Sequence, residues 1–157
     1  MIESPRLGGC MVQKYSHDEL VNRLVRAGEL EVSGEDAEEL REYFAPDFRF
    51  HGPGDFEADF DGLSDWFASV REAFDDRVIR HGIMVVEGNN LACQTFIDGT
   101  FVREFTQAPG GPVPPNGRRV MFDLINIFQM DDEGRLTHEY VRTDNRSFLE
   151  QLTQAAA

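Results

Sequence analysis

Residues Arg118 to Asp144 read RRVMFDLINIFQMDDEGRLTHEYVRTD, and the fold turns on this stretch. Two apolar, strand-like runs flank Asp131-Asp132-Glu133-Gly134, a segment whose aspartates and glycine suit a tight turn. The spacing therefore predicts a long hairpin. Along its first strand, Val120, Phe122, Leu124, Asn126, Phe128 and Met130 share one face. Met121, Asp123, Ile125, Ile127 and Gln129 share the other, because successive side chains point to opposite sides. Both rows are largely apolar, which predicts a strand covered on both sides. One amide, Asn126, interrupts the first row, and one carboxylate, Asp144, stands where the returning strand ends. A polar group set into an apolar row is a first sign of a pocket.

Outward from the hairpin, Thr106 to Gly117 (TQAPGGPVPPNG) is too proline-rich for a sheet and reads as an exposed loop. Arg77 to Glu87 and Leu91 to Phe105 read as two further long strands joined at Gly88-Asn89-Asn90. Asp98-Gly99 marks a bulge or kink in the later one. Before them, Leu63, Phe67, Val70 and Phe74 form the stripe of a helix ended by Asp75-Asp76, with Trp66 on its flank. Phe48 to His51 alternates as a short strand closed by Gly52-Pro53, and Gly54 to Asp61 is an acidic loop. Nearer the start, a helix capped by Ser16 carries Leu20, Val21, Leu24 and Val25 and ends at Gly28. A second begins at Ser33, with Asp36 in its first turn, and stops before Pro46. Met1 to Tyr15 has no period and reads as a loosely ordered lead-in to one domain over residues 16–157. Phe148 to Leu152 is a short terminal helix. The order predicts the α+β class: a curved antiparallel sheet wrapped around N-terminal helices.

Composition bounds the function. A chain of 157 residues with 41% hydrophobic residues and 13 phenylalanines has the material for one real core. Its formal charge of -14 repels phosphate backbones and anionic lipid surfaces, which argues against nucleic-acid and membrane partners. No segment approaches the ~20 apolar residues of a membrane span, and no basic stretch precedes an apolar one as in a signal peptide. Two cysteines, Cys10 and Cys93, read as reduced thiols of a cytoplasmic protein. His17, His51, His81 and His138 show no ligand spacing, so no metal is expected.

Several pieces, in order, carry a resemblance. They are Phe44-Ala45-Pro46-Asp47 with His51, then Asp98-Gly99-Thr100, then Pro114 to Val120 (PPNGRRV). Ile127-Phe128-Gln129 follows ahead of Gly134-Arg135-Leu136, and last comes Asp144 with Phe148 to Leu152. Together they resemble the α+β-barrel superfamily of nuclear transport factor 2 and, within it, the SnoaL-like polyketide cyclases. The resemblance implies a cone-shaped barrel with an internal cavity open at one end. It also implies an intramolecular aldol ring closure of a polyketide ester, without metal or cofactor, in which an aspartate near the end of the last strand acts as acid/base. Asp144 matches that aspartate. Asn126 falls where the related ketosteroid isomerases place an oxyanion-stabilising acid, while their base position falls on Gly52, which has no side chain. Phe101 and Glu139-Tyr140 stand where the family often has a histidine and a His-Trp pair.

The candidate catalytic residues are thus Asp144 as general base, Asn126 as oxyanion donor and His51 as auxiliary. Each has a structural counterpart: Asp144 as a helix cap, Asn126 as a buried amide satisfied by its neighbours, His51 as a half-exposed strand end. Phe50, Trp66, Phe101, Phe122, Phe128 and Tyr140 are candidates to line a cavity, and Arg103 to pair with an acidic ligand group; core packing and surface salt bridges are their alternatives. Two functions follow. One is a cofactor-independent enzyme acting on a small apolar carbonyl compound; the other is a non-catalytic member of the same fold, either a pocket for a small hydrophobic ligand or a dimeric interaction module. The apolar outer row of the hairpin predicts a homodimer through that sheet face.

Overall fold

The computed structural model describes residues 14–157, so Cys10 and nearly all of the expected lead-in lie outside the described residues. Helices α1 (His17–Ser33) and α2 (Ala37–Glu42) come first, followed by strands β1 (Phe44–His51) and β2 (Glu57–Ala58) and helix α3 (Phe60–Ala73). The remainder is a meander of β3 (Phe74–Glu87), β4 (Asn90–Phe101), β5 (Arg119–Met130) and β6 (Leu136–Thr143), closed by α4 (Asn145–Thr153). The hairpin that decides the fold is β5–β6. Its turn is held by Asp131, whose N–H donates to the Arg135 carbonyl and whose carboxylate accepts from the Glu133 and Arg135 N–H groups. Gly134 takes the positive φ of 69° that the turn requires.

The sheet runs β2-β1-β6-β5-β4-β3 and curves around α1 and α3. The α+β class and the curved sheet are as expected, and the sheet is mixed and unclosed: β1 lies parallel to β6, with Phe50 opposite Glu139, while the other pairings are antiparallel. Parallel neighbours need a long crossover, and α3 with the meander supplies it. On β5 the expected inner row is buried, but the outer row is not covered within the chain. Met121, Ile125 and Ile127 join Val78, Ile83 and Val85 as exposed apolar side chains, Ile83 at 69% exposure.

Several element boundaries differ from the sequence reading, among them the end of α3, where Phe74 opens β3, and the end of β4 at Phe101. Helix α1 does not end at Gly28. It starts on a capping box between Ser16 and Glu19 and runs on to Gly34, whose φ of 72° makes the left-handed cap. Gly28 is a close-approach glycine: a Cβ there would stand 2.9 Å from Ile79 Cδ1. Helix α2 is capped by Asp36 and gives way to β1 at Phe44, where Pro46 falls inside a break in register between Phe44 and Arg49 and no ladder hydrogen bond is lost. Strand β4 keeps unbroken register with β5, so the irregularity expected at Asp98-Gly99 lies opposite, on β3 between Asp75 and Val78, where Asp76 has φ 49°. The proline-rich loop is only partly exposed, because Phe105 pairs with Val113 and is fully buried with Ala108 against it.

The core has two parts. One packs α1 and α3 against the middle of the sheet through Leu20, Leu24, Phe44, Phe48, Phe67, Leu124 and Phe128. The other gathers Phe74, Phe101, Phe105, Val120, Phe148 and Leu152 at the α4 end. Trp66 and Phe122 touch both, and the main cavity opens beside them. Among the described residues no helix is long and apolar enough to cross a membrane.

Candidate active site

A cavity of about 330 Å³ lies between α3 and the concave face of the sheet. Phe50 of β1, Leu63 and Trp66 of α3, Phe122 and Leu124 of β5 and Val141 of β6 line it, with Gln107 and Pro109 of the proline-rich loop at its edge. One carboxyl faces this largely apolar space, that of Glu139, which is only 8% exposed. Behind Glu139 is a second chamber of about 30 Å³, where it meets Asn126, Glu31, Thr95 and His81 among Leu24, Ala27 and Phe128.

Asn126, 2% exposed, donates from Nδ2 to Glu139 Oε1 at 2.9 Å, and its buried Oδ1 has no hydrogen-bond partner among the described residues. Burial favours the neutral acid and pushes Glu139 up to about 7, against the lowering effect of the Asn126 amide. Glu31 is displaced in the same direction and well above the ordinary carboxylate range. Burial is the first cause and the charge of Glu139 the second, while the guanidinium of Arg71 opposes both. Glu31 keeps part of its surface open, so it is the desolvation of the carboxyl itself that matters here. Glu139 can therefore hold and release a proton near neutrality beside an apolar cavity, which is the electrostatic requirement for acid/base work.

The other expected site residues divide by position. Trp66, Phe50 and Phe122 line the main cavity and Phe128 the inner chamber. Phe101 is fully buried and stacks on Phe74 at 5.0 Å, so it packs the core and does not line the cavity. Asp144 is exposed and caps α4, accepting from the Ser147 N–H at 3.0 Å; it borders an outer groove with Asp123, Ile125 and Arg142. His51 also lies on the outer side of the sheet. Its Nδ1 sits 3.1 Å from Glu57 Oε1, its Nε2 3.2 Å from His138 Nδ1, and its ring stacks on Tyr140 at 4.5 Å. Tyr140 is part of that outer cluster and not of the cavity wall. Arg103 pairs with Asp75 on the surface at 2.5 Å and donates to the Glu72 carbonyl. Two of the four histidines thus meet, yet no group of three metal-ligating side chains occurs among the described residues.

Glu139 and Glu31 were not among the candidates. A signal existed for each. Glu139 lies directly opposite Phe128 of the inner row, but a register shift between Gln129 and Met130 puts Leu136 and Glu139, three residues apart, on the same face and breaks simple alternation. Glu31 continues the helical spacing of Leu24, Ala27 and Gly28, and ending α1 at Gly28 hid it.

An open α+β cone whose cavity ends on a buried carboxyl–amide pair is the class that fold and site define. The chain belongs to the SnoaL-like polyketide cyclase family, whose model matches residues 22–152. Among solved structures it is similar to IdmH from Streptomyces antibioticus, a candidate polyketide cyclase. The two are 27% identical with a TM-score of 0.72, covering 87% of this chain and 99% of that one. A candidate SnoaL-like polyketide cyclase from Jannaschia sp. CCS1 shares 20% identity at a TM-score of 0.71, over 90% of this chain and 98% of that one. AclR from Streptomyces galilaeus, a candidate hydroxylase, shares 19% identity at a TM-score of 0.72, over 87% and 82%. At such identities the last two likenesses concern the fold alone. No curated protein sequence matches the chain.

Proposed function

We propose that the protein is a cofactor-independent acid/base enzyme that closes a ring in a small, largely apolar carbonyl compound by an aldol-type step. Glu139 is the proton carrier in this reading, and Asn126 positions it. The observation that carries the reading is the Glu139 carboxyl: it faces the apolar cavity, is held by the Asn126 amide and is pushed up to about 7. A base poised near neutral pH combines a usable ionised fraction with enough proton affinity to attack a C–H bond α to a carbonyl. The ionised carboxylate takes that proton, and the C–H electron pair becomes an enolate. The enolate carbon bonds to a second carbonyl carbon of the same molecule. The resulting alkoxide then takes the proton back from Glu139, so the enzyme ends as it began. Phe50, Trp66 and Phe122 supply apolar walls that hold the chain folded and keep bulk water from the enolate.

This reading moves the acid/base role from Asp144 to Glu139, because the Asp144 carboxylate is engaged in capping α4 and borders the outer groove. It also makes Asn126 a positioning group, since it borders the inner chamber and not the main cavity. The test is a pair of variants assayed on activated β-ketoester probes. Glu139→Gln should lose turnover by about a hundredfold or more, the usual scale for a positioned acid/base, whereas Asp144→Asn keeps it. An active Glu139→Gln would overturn the reading. Tight probe binding by the wild type with no turnover would favour the ligand-binding alternative. A second copy of the chain is the proposed cover for the exposed outer row of Ile83, Val85, Ile125 and Ile127.

A further inference from the structure

Three spaces adjoin in this molecule, and two carboxyls stand at their boundaries. Glu139 borders both the main cavity and the inner chamber, while Glu31 borders the inner chamber and a cleft between α1 and α3. Phe67 lines all three and forms the partition. We infer that Glu31 and Glu139 form a proton-sharing dyad across the inner chamber, Glu31 acting as the reservoir that keeps Glu139 ready as a base; this rests on the reading of Glu139 as the acid/base of the cavity.

The geometry supports sharing. The chamber of about 30 Å³ has room for about one or two water molecules, and a water needs polar partners on several sides. The unpartnered, buried Oδ1 of Asn126 is an acceptor for such a water, and Thr95 and the two carboxyls complete a polar ring within apolar walls. Two carboxylates facing one small apolar space cannot both ionise cheaply, so one proton is retained between them. The other titratable groups around the pair do not remove this constraint. Arg71 on α3 acts on Glu31, the thiol of Cys93 on β4 feels Glu139, and His81 on β3 is itself pushed down by burial, so it favours its neutral form. In the resting dyad the proton sits on Glu31 and Glu139 is the free base. After proton abstraction both carboxyls are neutral, and donation to the alkoxide restores the first state. No charge is created in the chamber, and no other reactant is required.

The experiment is a ¹³C NMR titration of the glutamate side-chain carboxyls in the wild type, Glu31→Gln and Glu139→Gln. In the wild type the Glu139 resonance should show two linked steps, because coupled sites titrate as a pair. In Glu31→Gln only the lower step should remain, because Glu31 is already neutral when Glu139 ionises, and in Glu139→Gln the Glu31 step should fall, because the charge that raises it is gone. A single step in the wild type, or a Glu31 step unmoved in Glu139→Gln, would overturn the dyad; the wild-type curve decides the matter even if a variant does not fold. The two readings fail separately. Uncoupled titration with an inactive Glu139→Gln overturns only the dyad, whereas coupled titration with an active Glu139→Gln overturns only the catalytic role.

Discussion

Glu139 binds its proton more tightly in the folded protein than in the unfolded chain, since its ordinary value of 4.5 is raised to about 7. The stability it contributes is therefore fully present below the ordinary carboxylate range and is lost as pH rises through about 7. Replacing it by glutamine removes the charge while keeping the volume and the hydrogen-bonding contact with Asn126. Glu139→Gln should be more stable than the wild type at pH 8, on the order of 1–3 kcal/mol, and should gain much less at pH 5; thermal melts at the two pH values measure the difference. Asp144 contributes through its cap on α4. Asp144→Ala removes the cap accepted from Ser147 and should cost about 1 kcal/mol, while Asp144→Asn, a good cap itself, should cost little.

At the scale of elements, the α1 terminus connects the fold to the site. Gly34 takes φ 72°, and a Cβ there would stand 2.7 Å from Arg71 Nε. The Arg71 side chain in turn donates to the Glu31 carbonyl at 2.6 Å and lies close enough to act on the Glu31 carboxyl. Gly34→Ala should lower stability by about 1 kcal/mol or more in a denaturant titration, because both the left-handed backbone and the arginine contact are disturbed. Much of the element pattern was legible in the chain: the hairpin, its turn, the α3 stripe and the loop all rest on local chemistry that a linear reading can follow. What was not legible depended on distant partners. Gly28 resembles a helix end until Ile79 and His81 are seen packed on it, and the irregularity marked by Asp98-Gly99 moves to β3 because only pairing decides which strand holds the extra residue.

On the scale of the whole molecule, the outer sheet face is the feature a single chain leaves unfinished. Ile83 is 69% exposed, Val85 59% and Ile125 50%, close enough in the sheet to make one apolar strip. Light scattering at micromolar concentration should give twice the chain mass, and Ile83→Lys with Ile125→Lys should give the single mass with the fold kept. The same scale explains the partial reading of the site. Asn126 was recognisable as an amide in an apolar row, but its partner Glu139 comes from β6, and Glu31, which lines the same chamber, comes from α1; they converge only when the sheet curves over the helices. His51 and Tyr140 reach each other because β1 pairs with β6, on the side away from the cavity.

The parallel pairing of β1 with β6 also fixes an order of events during synthesis. Phe44 has its neighbour in Leu136 and His51 in Tyr140, so the first strand emerges long before the strand it will rest against exists. Phe44, Phe48 and Phe50 must wait on a nascent chain with only α1, α2 and later α3 to shelter them. Long-range closure of this kind is slow, and an unpaired, phenylalanine-rich strand is an invitation to aggregation. The protein's most vulnerable moment is therefore the interval on the ribosome before its last strand is made.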